Sequence, residues 1–212
     1  EGLWVIELIN LPLGFARDPR RVIDGDVTGA EIIWSPDSRE ILLSTKTGIY
    51  LLNSGQFTEQ GNITNITLAT KDTLLKEWEL ENNRKLTAQL KKLPDELEDI
   101  LNRKAKSVLF SPDEEMVLYT ARSSASIPSK LIPELPGSST QKEERDIKAD
   151  HAYIYDVKED RNFLLEESDK DLTIDGGSST LAFRRLSWFP TSRHLILAQP
   201  NEILIMDYDG TN

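Results

Sequence analysis

Three ungapped segments carry the reading of this chain: Ile33-Trp34-Ser35-Pro36-Asp37-Ser38-Arg39-Glu40-Ile41-Leu42-Leu43, Leu109-Phe110-Ser111-Pro112-Asp113-Glu114-Glu115-Met116-Val117-Leu118-Tyr119, and Ser187-Trp188-Phe189-Pro190-Thr191-Ser192-Arg193-His194-Leu195-Ile196-Leu197. Each runs from an apolar strand through a proline-centred turn into a second apolar strand. Proline presets φ at about −65° for the second position of a type I turn, and a neighbouring Asp or Ser supports the turn by bonding to nearby backbone. An aromatic two residues before each proline (Trp34, Phe110, Trp188) suits a pleated, half-buried position. Pro36, Pro112 and Pro190 therefore mark one repeated hairpin, and Asp37 and Asp113 read as turn-formers rather than catalytic acids. The third copy departs by carrying Thr191 where the others have Asp, which predicts a weaker turn.

A later strand also repeats. Gly48-Ile49-Tyr50-Leu51-Leu52-Asn53 aligns with Ala152-Tyr153-Ile154-Tyr155-Asp156-Val157, with Glu202-Ile203-Leu204-Ile205-Met206-Asp207 and with Gly2-Leu3-Trp4-Val5-Ile6-Glu7. Near-continuous apolar runs of this length suit strands buried on both faces. A weaker strand follows three of them, near 20–23, 57–63 and 161–166. The unit thus has four strands, a to d, and the chain reads c-d, a-b-c-d, a-b-c-d, a-b-c. Four antiparallel strands at a period of about 40 to 50 residues are the pattern of a β-propeller blade. The prolines lie 76 and 78 residues apart, but excising 70–104 leaves 41 and excising 123–150 leaves 50.

The expected fold is all-β, a partial β-propeller of about three four-stranded blades plus an extra c-d strand pair. It spans 1–212 as a single incomplete domain, with a helical insertion at 70–104 and a Pro/Ser-rich loop insertion at 123–150. Thirteen strands beginning at c and stopping after c do not close a ring. The expectation is a fragment whose remaining blades lie elsewhere, or closure by a second chain.

The Ser-Pro-Asp turn after an aromatic, followed by an I-Y-x-x-D type of strand and then Tyr208-Asp209-Gly210-Thr211, resembles the TolB-like propeller repeats, bacterial cousins of WD repeats. More loosely, 3–23 and 186–197 are similar to the propeller regions of uncharacterised bacterial envelope proteins, in which a membrane anchor and a small PEGA domain precede the propeller. The resemblance implies a propeller fold, a place in the cell envelope outside the cytosol, and a scaffold for protein binding. The same repeats build the propellers of prolyl-oligopeptidase-like serine peptidases. The alternative is therefore a substrate-gating propeller whose catalytic domain lies outside this chain.

Blade topology sends the excursions at 70–104, 123–150 and 168–180 to one rim. Loops on a rigid scaffold concentrate function, so that rim is the candidate interaction face for a protein or peptide partner. The first insertion places Leu74, Leu75, Trp78, Leu86 and Leu90 on one helical face, with Asp72 as N-cap. Pro94 then opens a shorter helix bearing Leu97, Ile100 and Leu101. Trp78, Leu86, Leu90 and His151 are the candidate contact residues. Packing of the helical stripes against each other and the blade is the competing reading. Deleting 71–104 is expected to leave blade stability largely intact. The second insertion, with Pro128, Pro133 and Pro136, reads as an irregular loop.

Composition closes off other chemistries. The 212 residues carry a net charge of −11, from 36 acidic and 25 basic side chains. That balance disfavours nucleic acid, whose phosphates require clustered Lys and Arg, and anionic membrane surfaces. Cysteine is absent, which removes disulfides, thiolate zinc sites and Cys nucleophiles. No G-x-S-x-G elbow occurs, and the only histidines are His151 and His194. Asp171-x-Thr173-x-Asp175-Gly176 faintly resembles a calcium loop, but Ala182 stands at the twelfth position, where a bidentate Glu is needed. Neither cofactor nor metal is expected, and the chain reads as non-catalytic. A sugar-cleaving propeller would require paired carboxylates that only a structure brings together.

Overall fold

The computed structural model describes residues 1–7, 18–133, 142–166, 172–174 and 184–209. The chain is mostly β. Its strands are β1 (Gly2–Val5), β2 (Arg20–Asp24), β3 (Glu31–Trp34), β4 (Glu40–Ser44), β5 (Ile49–Asn53), β6 (Ala105–Phe110), β7 (Met116–Ala121), β8 (Ala125–Ser126) and β9 (Asp146–Ile147). They continue as β10 (Ala152–Asp156), β11 (Arg161–Glu166), β12 (Leu172–Ile174), β13 (Arg184–Trp188), β14 (His194–Gln199) and β15 (Glu202–Asp207), with α1 (Leu68–Leu90) and α2 (Asp95–Lys104) between β5 and β6. Described residues up to Arg84 form one compact unit, and those from Lys85 onward form a second.

The first unit holds a β1-β2 pair and the meander β3-β4-β5. The second holds two four-stranded sheets, β11-β10-β7-β6 and β12-β13-β14-β15, and the small pair β8-β9. Ladders are antiparallel except that β12 runs parallel to β13, an extra strand inside the excursion that the sequence marks only as acidic. The weak strand expected at 57–63 does not form. Thr58 instead makes a single parallel bridge to Ile23, and Gln60–Asn62 is a 3-10 turn. The Arg20 guanidinium holds this corner by donating to the Ser54 carbonyl at 2.9 and 3.1 Å.

The three hairpin turns share one backbone geometry. The N–H groups of Ser35, Ser111 and Phe189 each bond the carbonyl five residues on at 2.9 Å. The fourth residue bonds back to the first at 2.9 to 3.0 Å and sits left-handed: Ser38 at φ 60°, Glu114 at 62° and Ser192 at 62°. A type I turn followed by one left-handed residue matches the right-handed twist of the strands it joins. In the first two turns Asp37 and Asp113 accept their serine hydroxyls at 2.7 and 2.6 Å and the second following N–H at 3.1 Å. The third keeps both backbone bonds and replaces the carboxylate by Thr191 Oγ1 against His194 Nδ1 at 2.7 Å. The Asp-to-Thr change therefore preserves the turn.

The c-strand alignment shifts by one residue. After β5, β10 and β15 come equivalent bonds, Ser54 N to Arg39 O, Val157 N to Glu115 O and Tyr208 N to Arg193 O, at 2.8, 2.9 and 2.9 Å. Asn53, Asp156 and Asp207 are thus one position, and the segment matching 48–53 is 151–156, not 152–157. The slip escapes a hydropathy reading because β10 is buried at every position. In a strand, however, it exchanges the two faces.

With that register, two of the three repeat sheets pack in the same sense. We call the face bearing Trp34, Phe110 or Trp188 the front. On β3-β4-β5 the front residues Trp34, Ile41, Leu43, Tyr50 and Leu52 pack on Leu3, Val5 and Val22 of β1-β2. On the last sheet the front residues Trp188, Leu195, Leu197 and Met206 pack on the back of the preceding one, Met116, Leu118, Ala152 and Ile154. Trp34 and Trp188 thus each pack on another sheet, whereas Phe110 packs against the helical insertion. Trp188 Nε1 donates to Leu109 O at 3.0 Å, and Asp113 N donates to Ser192 Oγ at 3.1 Å, both across 79 residues.

The helical insertion covers one sheet face in each unit. Leu74, Leu75 and Trp78 of α1 lie on the back of β3-β4-β5 with Ile33, Leu42, Ile49 and Leu51. Leu97 and Leu101 of α2, with Leu90 and Leu93, lie on the front of β6-β7-β10-β11 among Val117, Tyr119, Tyr153 and Tyr155. Thr67, not Asp72, caps α1, its Oγ1 accepting Thr70 N–H at 3.1 Å. Pro94 stands at the N-cap of α2, one position earlier than expected.

Candidate functional site

The expected contact residues fall into the cores. Trp78 and Leu90 are 7% and 6% exposed, and Leu86 is half-buried against the same cluster as Leu90. They are not an exposed docking surface, because each apolar helical stripe meets a sheet face that also needs cover. Lys71 Nζ ties α1 down with bonds of 2.6 and 2.9 Å to Glu31 and Ser44, and Gln89 Nε2 reaches Glu114 at 3.1 Å. His151 is half-buried, its Nδ1 lies 2.9 Å from Ala149 O, and its ring stacks on Tyr153 at 6.3 Å. Pro36, Asp37, Pro112 and Pro190 sit in the turns as structural residues. Pro136, Asp171, Asp175, Gly176 and Ala182 of the excursions, and Gly210 and Thr211 of the repeat motif, lie outside the described residues.

The second insertion is less irregular than its composition suggests. It pairs β8 with β9, and Ile127 and Ile147 fill the core beneath. Its anchor is a polar cluster that no sequence motif announced. Asp160, 1% exposed and left-handed at φ 52°, follows β10 in the turn to β11. Its carboxylate accepts the Tyr155 hydroxyl and the Leu131 N–H at 3.1 Å, and pairs with the Arg145 guanidinium at 3.4 Å. Arg145 also donates to the Asp160 carbonyl and to Pro128 O at 2.6 Å, and pairs with Glu143. Beside it, Tyr119 donates to Asn162 Oδ1 at 3.0 Å, and Asn162 Nδ2 donates to Glu144 O at 2.6 Å.

Burial raises the Tyr155 hydroxyl's pKa far above its ordinary value, and the adjacent Asp160 carboxylate adds to the shift. Burial likewise pushes Tyr119 well up, against the opposing hydrogen bond to Asn162. These phenols stay protonated and act as donors. The Asp160 carboxylate meets three partners of its own chain. Such a group clamps the insertion onto the sheet. Among the described residues, no group of three or more His, Asp or Glu side chains is arranged to hold a metal ion.

Side chains that do face solvent lie elsewhere. On the front of β1-β2, Arg21 sits 5.3 Å from the Trp4 ring and 5.6 Å from the Phe57 ring, with Trp4 54% and Phe57 45% exposed. On the last sheet, Ile203 and Ile205 of β15 are 71% and 56% exposed. Comparison with family models, with curated proteins and with solved structures gives no match to this chain. The molecule is thus mostly β, with several antiparallel sheets and two sheet-on-sheet packings, one in each unit.

Proposed function

We propose that this chain is a propeller-type interaction scaffold of the bacterial cell envelope, non-catalytic, holding a protein or peptide partner on its loop-bearing side. The observation that carries the reading is the front-to-back stacking of repeat-equivalent sheets, bonded by Trp188 to Leu109 and Asp113 to Ser192. Radial blades pack in that sense, whereas a two-fold sandwich would bring like faces together. The buried Tyr155–Asp160–Arg145 cluster supports the non-catalytic part, because its charges are spent on fixing the loop that a partner would meet.

Site-specific photo-crosslinking in the native host tests the reading. A crosslinker at exposed Lys148, on the loop-bearing side, is expected to yield a discrete protein adduct. The same group at exposed Arg39, on a short turn, is expected to yield none. Equal labelling from both positions, or none from Lys148, overturns the proposal.

A further inference from the structure

The loop-bearing end of β6, β7 and β10 gathers cations in a chain whose net charge is −11. α2 runs into β6 through Arg103-Lys104-Ala105-Lys106, and the Lys104 carbonyl accepts the Arg122 N–H at 2.7 Å. Lys106 pairs in register with Thr120, the Ala121 N–H donates to His151 O at 3.0 Å, and the His151 N–H donates to Lys148 O at 3.3 Å. These backbone bonds set Lys104, Lys106, Arg122 and Lys148, all exposed, around one corner. Two of the corner's cations have acidic partners: Arg103 meets Asp99, and Lys106 Nζ meets Asp150 at 2.7 Å. Among the described residues, Lys104, Arg122 and Lys148 pair with no carboxylate. The dipole of α2 accounts for Arg103 and Lys104 in its last turn, but not for Arg122 or Lys148.

We infer that this corner seats an acidic segment of the protein partner, a step that rests on the interaction-scaffold reading above and adds the chemistry of what is held. Neighbouring strand ends stand about 4.8 Å apart, and an extended peptide advances about 3.3 Å per residue. A few consecutive Asp or Glu residues laid across the ends of β6 and β7 therefore span Lys104 and Arg122 together, with Lys148 on the β10 side. Charge complementarity of this kind steers the encounter and fixes the orientation of what docks. The surroundings select a short flexible segment over a broad polyanion. Asp99 and Asp150 lie within the corner, and exposed Asp146 stands two residues before Lys148. A membrane plane or a nucleic-acid duplex pressed onto this end meets those carboxylates and the field of an acidic molecule, whereas a single strand of peptide threads between them.

Fluorescence anisotropy with a labelled oligoglutamate peptide provides the test. The wild-type chain is expected to bind the peptide at low salt and to release it near 1 M salt, where the screening length falls to about 3 Å. Lys104→Glu combined with Arg122→Glu should weaken binding by about tenfold or more. Arg39→Glu combined with Lys158→Glu changes the net charge equally but on short turns, and should weaken it less than about twofold. All four positions are exposed, so both double variants are expected to keep the parent circular-dichroism spectrum. Lys104→Gln with Arg122→Gln, which introduces no new charge, should weaken binding in the same direction. No binding by the wild-type chain, equal losses in the two charge-reversed variants, or tighter binding of phosphatidylglycerol vesicles or duplex DNA than of the peptide overturns the inference. The crosslink from Lys148 keeps the two readings apart. A protein adduct that survives Lys104→Glu with Arg122→Glu undiminished overturns the acidic segment alone, whereas a wild-type chain that yields no adduct overturns the scaffold itself.

Discussion

Asn53, Asp156 and Asp207 occupy one position in three repeats, yet their surroundings differ. Asn53 Oδ1 accepts Gly55 N–H at 2.7 Å in an exposed turn. Asp156 accepts Lys158 and Glu159 N–H groups at 2.9 Å while only 4% exposed, and Asp207 meets His194 Nε2 at 3.2 Å. Burial pushes the Asp156 carboxyl above its usual range, and the Glu159 and Glu115 carboxylates add to it against the two N–H bonds. A carboxyl whose folded pKa is raised stabilises the fold most below its unfolded value of about 4, and that contribution is lost as pH rises through the folded value. An amide keeps the acceptor without the charge, as Asn53 does. Asp156→Asn is therefore expected to be more stable than the parent at pH 7, with the advantage shrinking towards pH 4. In thermal melts each kcal/mol relieved appears as about 2–4 °C in Tm. A variant less stable at pH 7 would show that the charge itself holds the turn. Asp113 runs the other way: burial opposes ionisation, but Ser111, Glu115 N–H and Ser192 outweigh it and hold the carboxyl below its usual range.

At the scale of elements, α2 shows how an insertion becomes core. Asp95, Glu96 and Glu98 stand in its first turn and Arg103 and Lys104 in its last, matching the helix dipole at both ends. Leu97 and Leu101, 0% and 1% exposed, form its apolar stripe. Without this stripe, Tyr119, Tyr153 and Tyr155 would lose their cover. Deleting 71–104 is consequently expected to unfold the sheet it covers, contrary to the expectation from sequence. Leu97→Ala should cost about 3 kcal/mol in urea unfolding, the usual loss for a buried leucine that leaves a cavity. A cost below about 1 kcal/mol would show that the helix merely rests on the surface. The Asp160 clamp belongs to the same scale. Asp160→Ala leaves the buried Tyr155 hydroxyl without its acceptor and takes one of two carboxylates from Arg145, so unfolding free energy should fall by about 2 kcal/mol. Limited proteolysis should then cut near 128–145 first, and a loop that stays resistant would refute the clamp.

At the scale of the molecule's larger unit, the junction between its two four-stranded sheets is what joins one repeat to the next. Trp188→Phe retains the ring and removes the N–H that Leu109 O receives. The expected cost is about 1 kcal/mol, with faster amide exchange in β6 and β13 together. Loosening confined to β13 would mean the sheets fold independently of that bond. Much of this architecture was legible beforehand. The Ser-Pro-Asp hairpins, the a-b-c order and β11 follow from local turn chemistry and apolar runs, which act within a few residues. Trp34, Phe110 and Trp188 likewise betrayed equivalent positions, because an aromatic before the turn has one side on which to be buried. What no local pattern contains is which surface each apolar stripe meets. A helix bearing Trp78 and Leu90 satisfies the same hydropathy whether it reaches for a partner or lies on its own sheet. The one-residue register of β10 was hidden because every position there is buried. Likewise Asp160, Arg145 and Tyr155, drawn from three segments, become a clamp only after the chain has closed around them. Sequence by itself determined the repeated hairpins and the β-rich class. Tertiary structure alone decided that the insertions are core, since burial is a property of distant neighbours and not of the residue.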